Sequence, residues 1–239
     1  MIHIEVVLSP ALLHLSNVKD KNVVVIDILR ATSTICTAIH HGAISVKALK
    51  TPDEARILSR QGYISAAERD GNKLEGFDMG NSPFECMDGK VAGKSIALTT
   101  TNGTKCIDAA EIAGAKNVYS GSFLNLKAMA AKLVKDQSDV ILLCAGWKDS
   151  FNLEDTLFAG ALATELSGLT DVDIDCDAAW MAMDIYNIAK QDMVAYLKKS
   201  SHYKRLSHLH HEEDMIYCLQ HSVFETVAGL VDSEMKKIE

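Results

Sequence analysis

The chain is short of the features that most quickly assign a function. Lys and Arg form no block, and the formal net charge of −8 over 239 residues leaves no electrostatic footprint for nucleic acid. No apolar run reaches the length of a membrane span, and the opening MIHIEVVLSPALLHLSNVKD lacks the basic and apolar regions of a secretory signal. Neither a membrane nor an export partner is therefore expected. The six cysteines never stand in CxxC spacing, which excludes a zinc ribbon and predicts reduced, buried thiols in a cytoplasmic protein. None is followed at the sixth position by arginine, so a cysteine phosphatase loop is absent, as is GxxxxGK[ST]. Prolines number only three and no Gly/Ser linker interrupts the chain, so no firm domain boundary is drawn.

What is present is an alternation of short β-rich runs with helical patterns. IHIEVV and NVVVIDI precede a helix over Ser33 to His41. VKAL, a helix over PDEARILSRQ and YISAA follow. SIALTT, a helix after Gly103, NVYSGS, LKAMAAKLV, DVILLCAG and a helix over LEDTLFAGALATEL repeat the rhythm. Val23 to Ile26 and Val140 to Leu143 are apolar on both faces, as strands covered on both sides are. The pattern predicts a three-layer α/β domain over 1–239 with a central, largely parallel or mixed sheet. From Asp171 onward it predicts a helical C-terminal flank without a strand. Residues 22–92 and 95–165 echo each other in element order. Two similar lobes and generic βα alternation both account for that echo. Self-association into a homo-oligomer is left open.

In an open α/β sheet, ligands gather beyond the carboxyl ends of the strands. Four polar loops fall there. In the first, Asp27 ends an apolar strand and needs a cation or partner; Arg30 is either its counter-ion or an anion clamp, with Thr32 or Ser33 as the helix cap. The second, Thr99 to Thr104, joins hydroxyls, Asn102 and Gly103 to a helix start and reads as a phosphate cradle, with Gly103 allowing positive φ and close approach. The third crowds Glu68, Arg69, Asp70, Glu75 and Asp78 before Asn81-Ser82-Pro83, itself a helix-start signal. The fourth places Glu154 and Asp155 in the first turn of a helix, where the dipole favours carboxylates regardless of function. Hard oxygen ligands without a His/Cys cage suit Mg²⁺ rather than Zn²⁺, and a cation beside an anion cradle points to phosphoryl chemistry on a small phosphorylated anion. His208, His210 and His211 read as a solvated helix face, and Asp171 to Asp175 as an acidic surface turn.

DILRATST, ERDG with GFDMGNSP, TTTNGT, and CAG with downstream ED and AGA occur in that order, and together they resemble the motif set of the 2-phosphosulfolactate phosphatases. The resemblance runs over about residues 5 to 165. It implies a Mg²⁺-dependent phosphomonoesterase that converts 2-phospho-3-sulfolactate to 3-sulfolactate and phosphate, a step toward coenzyme M. Carried onto this chain, it assigns Asp27, Glu68 and Asp78 to catalysis. Arg30, Arg69, Asn81, Thr100, Thr101, Asn102, Gly103 and Thr104 are assigned to substrate, and Asp27, Glu154 and Asp155 to the metal. The chain departs from the family pattern at Ala67, where glycine is usual, and between Lys148 and Asn152. Another phosphorylated 2-hydroxy acid as substrate, or a non-catalytic anion-binding module, are the alternative readings.

Overall fold

Val23, Val24, Val25 and Ile26 are all fully buried, and their side chains alternate between two apolar cores. A strand can bury both faces only in the middle of a sheet with helices on each side, and this is where they lie. A computed structural model of the chain describes residues 1–209 and 211–239. The order along the chain is β1 (Ile2–Val7), β2 (Asn22–Ile26), α1 (Ala31–His40), β3 (Ser45–Ala48), α2 (Pro52–Ser59), β4 (Ile64–Arg69), β5 (Asn72–Lys73) and β6 (Ser95–Thr99). Then come α3 (Gly103–Ile112), β7 (Asn117–Gly121), α4 (Leu126–Asp136), β8 (Val140–Cys144), α5 (Leu153–Leu169) and β9 (Val172–Asp173). The remainder is α6 (Asp177–Ala189), α7 (Met193–Leu197), α8 (Ser201–His208), α9 (Glu212–Cys218), β10 (Val227–Val231) and β11 (Glu234–Ile238).

One mixed sheet carries the strands in the order β5-β4-β6-β3-β11-β10-β7-β2-β8-β1-β9. β4, β6 and β3 run parallel to one another, and so do β7, β2, β8 and β1. Residues 22–92 and 95–165 interleave here. β2 is lodged between β7 and β8 of the later segment, and β6 between β3 and β4 of the earlier one. Between the two groups sits the antiparallel β10–β11 hairpin.

That hairpin corrects the expectation of a purely helical flank after Asp171. Helices α6 to α9 are present, but the final residues return to the centre of the sheet and β9 extends its edge. A two-residue turn at Asp232 and Ser233, with φ of 53° and 58°, closes it, and paired positive φ values are what a twisted hairpin requires. The group containing β6 and the group containing β2 run in opposite senses along the sheet, as the antiparallel steps between them dictate. A sheet twists by roughly 20–25° per strand. Over the five steps from β6 to β2 that rotation turns their C-terminal ends toward a common centre.

Two cores follow from this curl. Leu157, Phe158 and Leu162 of α5, with Met129 and Leu133 of α4, cover one face of β1, β2 and β8. Ile35 and Ile39 of α1, with Cys106 and Ile107 of α3, fill the other, where strands of both groups face the same pair of helices. The N-termini of α1 and α3 consequently meet. Among the described residues, no helix is long and apolar enough to cross a membrane.

Candidate active site

The strand ends set the site. Asp27 stands one residue past β2, with 8% of its surface exposed. Its backbone N–H donates to the Thr32 hydroxyl (3.0 Å), and the Ala31 N–H reaches its Oδ1 (3.4 Å). Burial pushes the Asp27 carboxyl from 3.8 up to about 6; His202 and the Ala31 N–H oppose the rise, while Glu68 and Glu154 add to it. A buried acid crowded by two others is the charge imbalance expected of a place that receives a cation or a proton.

Arg30 does not pair with Asp27. Its Nη1 donates to Asp214 on α9 and its Nη2 to the Gly71 carbonyl (3.0 Å). The expected local pair is thus replaced by one spanning 184 residues, in which Asp214 also accepts from the Ser82 hydroxyl (2.6 Å). Arg30 itself precedes α1 without a side-chain capping bond, so neither Thr32 nor Ser33 caps that helix.

Glu68 closes the ERDG turn by accepting from the Gly71 N–H, and joins it to the threonine loop by accepting from the N–H (3.3 Å) and hydroxyl (3.2 Å) of Thr101. Thr100 and Thr104 satisfy each other: each backbone N–H donates to the other's hydroxyl, at 3.4 and 3.3 Å. The hydroxyls expected to cradle an anion are therefore engaged with the protein. With Arg69, these three threonines line a neighbouring groove shared with Lys50, Lys105 and Asp108. Arg69 is turned that way, donating to Thr99 Oγ1 (2.9 Å) and the Glu68 carbonyl (2.6 Å).

Gly103 begins α3, and its role is clearance rather than positive φ. A Cβ there would lie 2.5 Å from the Ala31 Cβ and 2.6 Å from Asp27 Oδ2. Asn102, just before it, faces the cleft and accepts from the Lys148 N–H (3.1 Å).

Glu154 and Asp155 are fully buried at the start of α5 but differ in what they do. Asp155 accepts from Ile28 N–H (2.9 Å), Gly146 N–H (3.1 Å) and Asn152 Nδ2 (2.9 Å), tying the ends of β2 and β8 together. Burial, followed by Glu154 and Asp27, raises its carboxyl well above the usual range. Glu154 contacts His202 Nδ1 through Oε1, and its Oε2 has no partner. Asp78 stands apart from this group: it is exposed and held by the Ser65 hydroxyl (2.7 Å) and N–H (2.9 Å), which with Lys73 and Lys90 lower its pKa against the opposing effect of burial.

Asp27, Arg30, Glu68, Asn81 and Asn102 thus share one cleft, roofed by Trp147, His202 and Leu206. The free space is small, ≈ 20 Å³, so a ligand of more than a few atoms requires the roof to give way. Trp147, His202 and Leu206 line the cleft without being marked by the sequence motifs, as Asp214 holds Arg30 without being marked; the Trp147 and His202 rings lie 5.5 Å apart between centroids and are tilted by 41°. Of the histidines read as solvated, His208 is exposed, His211 contacts the Gly71 carbonyl through Nε2 (3.1 Å), and His210 lies outside the described residues. Every buried polar side-chain atom left without a partner among the described residues belongs to Asn81, Glu154 or Arg205.

A model of the family described as 2-phosphosulpholactate phosphatase matches residues 7–233. A probable 2-phosphosulfolactate phosphatase of Caldanaerobacter subterraneus subsp. tengcongensis is 39% identical over 218 residues, covering 90% of this chain and 89% of its own. The like-named protein of Thermotoga petrophila is 40% identical over 229 residues, with 96% of each chain covered. That of Clostridium acetobutylicum is 34% identical over 236 residues, covering 97% and 99%.

Proposed function

Because the chain belongs to the 2-phosphosulpholactate phosphatase family, we propose that it is a phosphoric monoester hydrolase that cleaves 2-phospho-3-sulfolactate to 3-sulfolactate and phosphate, with Mg²⁺ as cofactor. The observation that carries this reading is a cleft lined by Asp27, Glu68 and Asn81, with Glu154 near enough to raise the Asp27 pKa, where Glu154 Oε2 and Asn81 Oδ1 lack partners. Buried acceptors without donors are costly, and a cation with its water shell would satisfy them.

Among the described residues no three His, Cys, Asp or Glu side chains form a ready cage for a metal. Mg²⁺ keeps several waters and is commonly held by one or two carboxylates together with substrate phosphate. Asp27 and Glu154 would hold it. Asp155, with both oxygens engaged by N–H groups, supports Asp27 by fixing the backbone at Ile28. The cation's chemistry here is to neutralise charge on the phosphoryl oxygens. Glu68 keeps the Thr101 loop closed against the cleft, and Asn81 presents an amide to the ligand. His202 places a ring nitrogen on Glu154, where it can hold or move a proton at Oε1. Trp147 and Leu206 exclude water from above. A cytoplasmic location is part of this reading, supported by six free thiols.

The test is phosphate release from a panel of phosphorylated 2-hydroxy acids in Mg²⁺ and in EDTA. Turnover of 2-phospho-3-sulfolactate that disappears in EDTA and returns with Mg²⁺ is expected. Chelator-insensitive turnover rejects the metal, and release only from other members of the panel rejects the substrate.

A further inference from the structure

The buried atoms without partners sort by sign. Asn81 Oδ1 and Glu154 Oε2 are acceptors; Asn81 lines the cleft with Asp27 and Glu68, and Glu154 acts on the Asp27 carboxyl. Arg205 Nε and Nη2 are donors, on a guanidinium that lies over the ring of the roof residue Trp147. Arg205 shares one face of α8 with His202 and Leu206, at i+3 and i+4 spacing, and both of those residues line the cleft. Its guanidinium carbon lies 4.2 Å from the centroid of the ring of Trp147, a third roof residue.

Nearby cations are already engaged. Arg30 is held by Asp214 and the Gly71 carbonyl, Arg69 by Thr99 and two carbonyls, and Lys148 by Asp70 at 3.2 Å. Arg205 alone among these arginines keeps buried donors without an acceptor, and those donors form its Nε–Nη2 edge. That edge presents two parallel N–H groups, the geometry that takes two oxygens of one tetrahedral or planar anion. Burial lowers the Arg205 pKa and Glu154 raises it, so the guanidinium sits in an environment that rewards an added anion.

We infer that Arg205 is a specificity-determining residue that binds the sulfonate of the substrate through its Nε–Nη2 edge. The inference rests on the phosphatase reading for the identity of the substrate. In 2-phospho-3-sulfolactate the phosphate and carboxylate branch from one carbon and the sulfonate extends from the next. A phosphate seated beside Asp27 and Glu154 therefore leaves the sulfonate as the group that projects away from it. The acceptors take the cation and with it the phosphate; the Arg205 donors take the remaining anion. This also gives the roof a reason to close: substrate bridges the two halves of the cleft by charge.

The test compares wild type, Arg205→Lys and Arg205→Met on 2-phospho-3-sulfolactate and on 2-phospholactate, which lacks the sulfonate. Loss of a hydrogen bond to a charged group predicts a KM for the sulfonated substrate about 10- to 100-fold higher in Arg205→Met. KM for 2-phospholactate stays within about twofold, and Arg205→Lys falls between because it keeps charge but not the paired edge. Equal shifts in both substrates, or none, overturn the inference. Calorimetric titration with 3-sulfolactate needs no turnover: binding by wild type that is lost in folded Arg205→Met supports it, and equal binding, or none by wild type, overturns it. Absence of phosphate release by wild type from either compound, with sulfolactate binding intact, counts against the phosphatase reading and leaves the sulfonate site standing.

Discussion

The turn after β2 and the turn after β6 have nearly the same hydrogen-bond plan and opposite chemistry. Asp27 and Thr100 each stand one residue past a strand, and each donates its backbone N–H to a threonine hydroxyl at the second position of the next helix, Thr32 and Thr104. Each side chain in turn accepts from the first turn of that helix. The first helical positions, Ala31 and Gly103, meet across the gap between the helices. There the Ala31 methyl fills space that a methyl on residue 103 would also need. At the strand end one turn carries a carboxylate raised to about 6, and the other a neutral hydroxyl closed on its own backbone. The difference shows how a shared scaffold is divided in labour: one turn brings charge to the centre, and the other gives up a side chain so that the charge can sit there.

Asp27→Asn is the strongest way to break this contrast, since it makes the first turn as neutral as the second. Phosphate release should fall at least about a hundredfold, the loss expected when a metal ligand or its orienting partner is removed. Near-native turnover with unchanged Mg²⁺ dependence would place Asp27 among the structural groups.

The next effect is on stability against pH in EDTA-treated protein. A carboxyl that ionises at about 6 when folded and near 3.8 when unfolded binds more protons in the native state between those values. Its contribution to stability therefore falls as pH rises through that window and is constant above it. Asp27→Asn should gain on wild type by up to about 2–3 kcal/mol between pH 4 and pH 6.5 in urea unfolding. A difference that does not change with pH would show that Asp27 is not forced up by its neighbours.

Gly103→Val tests the clearance. The added branch meets Ala31 and Asp27, so overpacking of about 1–3 kcal/mol is expected, with substrate binding weakened further as α3 is displaced. Unchanged melting and unchanged Kd for 3-sulfolactate would mean that the helices separate freely. The smallest effects belong to the two equivalent threonines. Thr32→Val and Thr104→Val each remove one acceptor for a strand-end N–H and should each lose about 1–2 kcal/mol. Unequal losses would show that the two turns match in geometry but not in load.

Much of this arrangement is legible in the chain itself. The runs NVVVI and VILLC mark central strands because only a doubly covered strand is apolar at every position, and Asp27 stands out because it ends one of them. Asn102 and Gly103 are marked by their place before a helix. The hairpin at β10 and β11 is not marked, because EMKKI is a polar strand whose place depends on partners more than a hundred residues earlier. Arg30 suggests a local partner only because Asp27 is near in sequence, whereas its partner Asp214 arrives from α9. His202 and Arg205 belong to a strongly charged helix, and charge alone does not say which face docks over a cleft. Asp78 shows the reverse relation: its motif is dense in charge, but its carboxylate accepts from Ser65 and does not line the cleft.

The β10–β11 hairpin also sets the order in which the molecule can be finished. Residues 227–238 emerge from the ribosome after every strand they join has been made, and among the described residues they form the only link between the β4-β6-β3 group and the β7-β2-β8 group of the sheet. Until they arrive, β3 and β7 present open edges, the kind of surface that recruits foreign strands. Without this hairpin the sheet has two unsealed margins, and residues 227–238 act as the clasp that joins them.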